Sequence, residues 1–374
     1  MSRFSLWIFV AVLLLTGCWE SPPPTDAERD EDKRQVRQEG WNVWSDTSAA
    51  PIAFEREQTY GTVEGSGPAL LGNVRALAVD SAGTVYVLDG ENHRLVAFNP
   101  DGTVRWSNGK QGAGPGEFRR PRDMILGDKG RLFVANNGGR EIDVWTTNGT
   151  FVERQTFEAN DLSSLSPIGY ADGFLILSES GFGNEPQTIH AVDPETWDLV
   201  HSFPLTLKMD LPEMVSVSKN ARTVGDSIVV SSFGEYILST YSVDGTPGRR
   251  ISRSVDVLVE PGIYRGARAY GGLGTPVRLP KGHLLIDLSW PTNVDDPDAH
   301  FRRSRTGSAE EVIYATALDL FDPSGRYAGS LRWNDRRTPP FGDLETVAPN
   351  GKLYTTTNDP YPQVRRYDVV LHSE

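Results

Sequence analysis

Along most of the chain, apolar residues come in runs of four to six, alternate with polar ones, and are closed by Asp, Asn, Gly or Pro. That period and those breakers predict short β-strands joined by tight turns. The pattern is clearest from Gly65 to Thr156, where one unit is written twice. A shift of 47 positions lays Gly65, Gly67 and Pro68 on Gly112, Gly114 and Pro115, Arg75 on Arg122, Val87 on Val134 and Phe98 on Trp145. Each copy predicts four strands; in the first they are Arg75–Asp80, Thr84–Asp89, Arg94–Asn99 and Thr103–Ser107. A fixed period of this size marks a repeat architecture, and four strands per repeat predict a propeller blade.

The strand–turn–strand cue recurs around Gly173, Asp226, Gly282 and Gly351, which with Gly83 and Gly130 predicts six blades. The expected fold is therefore all-β: a six-bladed β-propeller of four-stranded antiparallel blades over residues 51–374. A ring has to hide its edges. Ile52–Tyr60 reads as a lone strand ahead of blade one, while the last blade shows only three strands, so the N-terminal strand is expected to close it. Residues 255–275 have room for an extra strand, or for part of a seventh blade.

Ahead of this domain, Arg3 precedes an apolar run, Leu6–Leu15, that is short for a membrane span. It ends in Leu15-Thr16-Gly17-Cys18, which resembles the lipobox of bacterial lipoproteins. The resemblance implies a signal peptide over 1–17, cleavage before Cys18 and acylation of the protein's single cysteine. Two or three acyl chains anchor a protein stably where one does not. Residues 18–50, with Ser21-Pro22-Pro23-Pro24 and a charge-rich run, read as a flexible tether in which Thr25–Gln38 has helix-forming composition. The expected location is the bacterial cell envelope, and Trp19 in place of an inner-membrane retention Asp favours the outer membrane.

In blade one, Asn92-His93-Arg94-Leu95 followed by Pro100-Asp101-Gly102 resembles the NHL repeat. So does the linker Gly112-Ala113-Gly114-Pro115-Gly116-Glu117-Phe118. The resemblance covers 61–156; beyond it only the strand-and-turn pattern persists. Some enzymes of this propeller type, amidating and lactone-processing ones, hold a metal in the central channel, which makes a lyase or lactonase an alternative to a binding protein. An envelope scaffold is a third reading.

The formal charge of −13 excludes a nucleic-acid partner, which needs a basic face. Arg75 and Arg122 occupy equivalent positions at the start of innermost strands, and Arg222 and Arg278 read as beginning the inner strands of blades four and five, with Asp343 at that position in blade six. Converging at a channel mouth, they would bind an anionic or sugar ligand. Trp290 and Tyr361 are candidates to stack against it, as are Phe182, Phe233, Met209, Met214, Tyr264 and Tyr270. The insertion Pro291–Glu311 carries Asp295, Asp296 and Asp298 without the ligand spacing of a calcium loop. The six histidines, His93, His190, His201, His283, His300 and His372, are scattered, so no cofactor is expected, with structural Ca²⁺ or a channel metal as the alternative. Nucleophile-elbow and phosphate-loop motifs are missing. The sequence thus predicts a monomeric, membrane-tethered propeller that binds a peptide, a protein or a small ligand on its loop-rich face and has no catalysis of its own.

Overall fold

The structure, a computed structural model, describes residues 35–39, 42–44, 50–157, 162, 164–180, 187–205, 221–231, 236–255, 272–293, 313–335 and 338–372. Cys18 and the signal segment lie outside the described residues, as do the acidic insertion, the Met and Tyr residues of the two long connections, Phe182 and Phe233. The compact unit spans Val36–Glu374.

Six antiparallel sheets form the ring. Blade one comprises Val74–Val79, Val85–Asp89, Arg94–Phe98 and Val104–Asn108, inner to outer. Blade two comprises Met124–Leu126, Arg131–Asn136, Glu141–Thr146 and Phe151–Thr156. Blade three comprises Leu165–Ala171, Phe174–Glu179, Thr188–Val192 and Leu199–Pro204, and blade four Ala221–Val224, Ser227–Ser231, Tyr236–Tyr241 and Pro247–Ser254. In blade six, Asp343–Val347, Leu353–Thr357 and Gln363–Leu371 are completed by Ile52–Tyr60, the expected closure, with Ile52 opposite Leu371 and Tyr60 opposite Val364. Ile52 and Tyr60 are buried, so closure adds core as well as hydrogen bonds.

Blade five departs from the pattern. Its second to fourth strands, Leu284–Pro291, Tyr314–Phe321 and Tyr327–Trp333, are regular, but its inner strand is in two pieces. Gly272–Leu273 pairs with Ser289 and Leu288, Val277–Arg278 pairs with Leu285 and Leu284, and Gly274-Thr275-Pro276 interrupts them. Proline has no N–H to give a ladder, which suits it to such a break. Gly272–Leu273 falls in the span 255–275 and belongs to blade five, while residues 256–271, where an extra strand was expected from Val255 on, lie outside the described residues.

The N-terminal segment also differs from expectation. Gln35–Glu39, within the stretch of helix-forming composition, is a fifth strand on the outer edge of blade four. Gln38 then donates to the Gly325 carbonyl, and Val43 bridges Ser330 in parallel on the outer strand of blade five. The exposed blade edge decided this, because unpaired edge groups gain more from a strand than from an isolated helix with no apolar face.

The core lies between neighbouring blades, where apolar side chains of adjacent sheets interdigitate. Between blades four and five the apolar packing encloses a polar cluster as well: Arg253 and Asp319 form a fully buried ion pair. Tyr236 donates to Asp319 at 2.6 Å, and Ser330 donates to its other oxygen.

The repeat motif is built into the ring in the same manner. Asp89, fully buried, accepts from Asn92 Nδ2 at 2.8 Å and Arg94 Nη2 at 3.0 Å, while its other oxygen takes the Gly72 and Asn73 amides. Arg94 also donates to the Leu70 carbonyl at 2.7 Å, pinning the linker that enters the blade. Blade two lacks the motif and uses Arg154 instead, bound to Asp143 and to the Ala113 and Glu117 carbonyls of its own linker. The Asn and Arg of the motif are therefore clamps.

Candidate functional site in the central channel

The inner strands enclose a channel cavity of about 540 Å³ to which all six blades contribute, blade five through Thr275. Two charged residues enter it through irregularities in their strands. The pairing of Val74–Val79 with its neighbour skips Arg75, and that of Asp343–Val347 skips Glu345. A bulged residue is re-aimed relative to the regular alternation, and both side chains line the cavity.

Arg222 of blade four approaches Glu345 of blade six at 3.8 Å, in front of the interrupted strand of blade five. That separation is an ion pair but no hydrogen bond. No hydrogen bond from the Arg222 guanidinium is seen among the described residues, so its five donors are available to an occupant. Burial lowers its pKa from the ordinary value, and the charges of Glu345, Asp123 and Asp287 oppose that shift. Glu345 is held from behind by Thr356, whose hydroxyl donates to it at 2.8 Å.

Asp287 belongs to the second strand of blade five, one layer back from the channel. Its carboxylate lies over Gly274: a Cβ there would sit 2.0 Å from Asp287 Oδ1. Glycine at the break leaves the space this carboxylate occupies. Burial, and then the negative charges of Asp343 and Glu345, push the Asp287 pKa up to about 7, with Arg222 opposing. Asp287 thus keeps its proton well above the ordinary carboxylate range, as burial and like charge together produce.

The arginines expected at one mouth are distributed. Arg75 stands at the entry end of its strand, packed over Gly90 and facing the cavity. Arg122 is exposed, its amide bonded to the Ala135 carbonyl, and it does not line the cavity. Arg222 lies farther inside, opposite Val229 and two residues before the hairpin turn. Arg278 is a correction: it ends its inner strand beside the turn Pro280–Gly282, at the opposite end from Arg75, and lines a second cavity of about 100 Å³ together with Arg222. The two-piece strand displaced the register on which its expected position rested. Asp343 does begin its strand and acts on Asp287. Trp290 is 4% exposed and packs in the core of blade five with Arg332 over its ring, so it offers no stacking face. Tyr361 is half-buried in the loop between the second and third strands of blade six.

Asp123, Glu345 and Asp287 were not among the sequence candidates, although a signal existed. Asp287 is the single acid of its strand, Glu345 shares the strand Asp343–Val347 with Asp343, and Asp123 immediately precedes Met124–Leu126; a charge in or beside such a strand requires a partner or a channel. Among the described residues, no group of three His, Cys, Asp or Glu side chains is placed to hold a metal ion.

These features define a six-bladed β-propeller with a charged central channel. Residues 71–98, the first three strands of blade one with their entering linker, match the NHL repeat family model. Human NHL repeat-containing protein 3 is 33% identical over 81 residues, which is 21% of this chain and 23% of that protein. The chain thus matches less than a quarter of that curated relative. A putative exported protein from Bacteroides fragilis superposes with a TM-score of 0.58 at 11% identity, covering 91% of this chain and 100% of that one. A member of the DUF4221 family from Bacteroides vulgatus gives 0.57 at 8% identity, over 85% of this chain and 98% of its own. At these identities the likeness is one of fold alone.

Proposed function

We propose that this protein is a lipid-anchored binding protein of the bacterial envelope, whose propeller takes a small polar ligand into its central channel. The observation that carries the reading is Arg222, a channel arginine without a hydrogen bond among the described residues, set against carboxylates from three other blades, Glu345, Asp123 and Asp287. The Arg222 side chain is 30% exposed and lines the cavity, so donors that the protein does not engage are open to its interior. Donors left over inside a cavity of ligand size are what a binding site requires. The anchor rests on the Leu15-Thr16-Gly17-Cys18 motif.

Thermal unfolding against a panel of sugars, dicarboxylates, amino acids and polyamines tests the channel. At least one class should raise the midpoint in the wild type and have no effect in Arg222→Gln; equal shifts in both proteins would place the binding elsewhere. For the anchor, Cys18→Ala should release the protein from the membrane fraction or accumulate the uncleaved precursor. Unchanged fractionation would remove lipidation from the account.

One observation favours an enzymatic reading of the same channel. A carboxyl that burial and the charges of Asp343 and Glu345 raise to about 7 falls in the range a general acid or base needs. In that case Asp287→Asn would abolish turnover of the bound ligand while leaving its binding detectable.

A further inference from the structure

The second cavity, of about 100 Å³, lies where the inner strands of blades four, five and six come together. Five of its nine lining residues also line the large cavity, so the two share a wall. Its lining holds two arginines, Arg222 and Arg278, two threonines, Thr223 and Thr346, and no carboxylate. The whole chain, by contrast, carries a formal charge of −13.

The two arginines are held differently. Arg222 has Glu345 at 3.8 Å, too far for a hydrogen bond, and Glu345 lines the large cavity but not the small one. Arg278 is exposed and has neither a hydrogen bond nor an ion pair among the described residues. Its guanidinium lies between two hairpin turns. A Cβ on Gly225 of blade four would stand 3.2 Å from Nη1, and one on Gly282 of blade five 3.7 Å from Nη2. Both glycines have positive φ, 63° and 86°, so the turns that flank the guanidinium need glycine there.

Two cations on the lining of one small cavity, with no acid between them, repel each other, and an anion placed there relieves both. A monocarboxylate matches one guanidinium. A phosphate monoester carries close to two negative charges at neutral pH and three acceptor oxygens, enough for both guanidinium forks at once. The small cavity falls short of the roughly 300 Å³ or more that a whole small-molecule ligand fills, whereas the adjoining 540 Å³ does not. Resting on the channel reading above, we infer that the ligand is a small phosphate monoester, its phosphoryl group between Arg222 and Arg278 and its polar organic part in the channel.

The test is calorimetric titration of the full-length protein at constant ionic strength, so that general screening is the same throughout. The probes are inorganic phosphate, a set of sugar, nucleoside and amino-acid phosphate monoesters with their dephosphorylated forms, and vesicles containing phosphatidic acid. Inorganic phosphate should bind saturably, and at least one monoester should bind more tightly than its dephosphorylated form. Each of Arg278→Gln and Arg222→Gln should weaken both by about tenfold or more, the scale of one charge-assisted hydrogen bond. Circular dichroism checks that the variants remain folded. Phosphate binding that is unchanged in Arg278→Gln would overturn the inference, as would binding to the vesicles alone, which would make the ligand a lipid headgroup. A neutral sugar or dicarboxylate that binds through Arg222, with no heat from phosphate or its esters, would overturn the phosphate assignment and keep the channel as the site. No heat from any of these classes would sink both.

Discussion

Asp287 is an aspartate whose ordinary range is near 3.8, raised to about 7 in the folded chain by burial and by Asp343 and Glu345. The native state therefore holds a proton that the unfolded chain has released between about pH 4 and 7. Stability falls as pH rises through that window and is level above it. Asp287→Asn removes the ionisable group, so the variant should unfold at a higher temperature than wild type at pH 8 and at about the same temperature at pH 4. Melting curves at both pH values check this, and a variant no more stable at pH 8 would show that Asp287 ionises without penalty. Arg94 gives the opposite case. Its loss leaves Asp89 buried without its cation, and breaking such a pair costs about 3 kcal/mol. Urea unfolding of Arg94→Ala should show that loss without any change in ligand binding, because the clamp lies between blade and linker. The sequence motif that made the fold recognisable is thus a structural device, and this is why it carried no information about the ligand.

At the scale of the element, the two copies between Gly65 and Thr156 made blades one and two readable residue by residue, because their strands are unbroken and their turns short. Blade five was misread for the converse reason. A strand in two short pieces, Gly272–Leu273 and Val277–Arg278, has no period to detect, and a register error there moved Arg278 from one end of the channel to the other. Trp290 shows a related limit, since a large aromatic near a strand end reads equally as rim or core, and the packing between blades decides. The break itself has a testable role. Gly274→Ala would put a methyl group where Asp287 Oδ1 now sits, forcing the carboxylate out of its place. Binding in the channel should drop in this variant. Retention of full affinity would mean that the break takes no part.

For the whole molecule, closure of the ring depends on the N-terminal strand. Ile52–Tyr60 pairs along its length with Gln363–Leu371 and buries Ile52 and Tyr60 between blades. A chain beginning at Thr62 should lose cooperative unfolding, since blade six would then expose an unpaired outer edge and part of its core. Among the described residues, a chain beginning at Ala50 lacks only the strand added outside blade four and the contacts of residues 42–44 on blade five, and should still unfold cooperatively at a lower midpoint. Ring closure was legible from the count of strands, three at one end of the chain and one at the other. The channel chemistry was much less so, because Arg222, Glu345, Asp123 and Asp287 come from four different blades and meet only when the ring is complete. The most direct test of the central claim is the change in melting temperature of wild type and Arg222→Gln across the same panel of polar ligands. The account predicts a ligand that stabilises the wild type and leaves the variant unmoved; a ligand that stabilises both equally would contradict it.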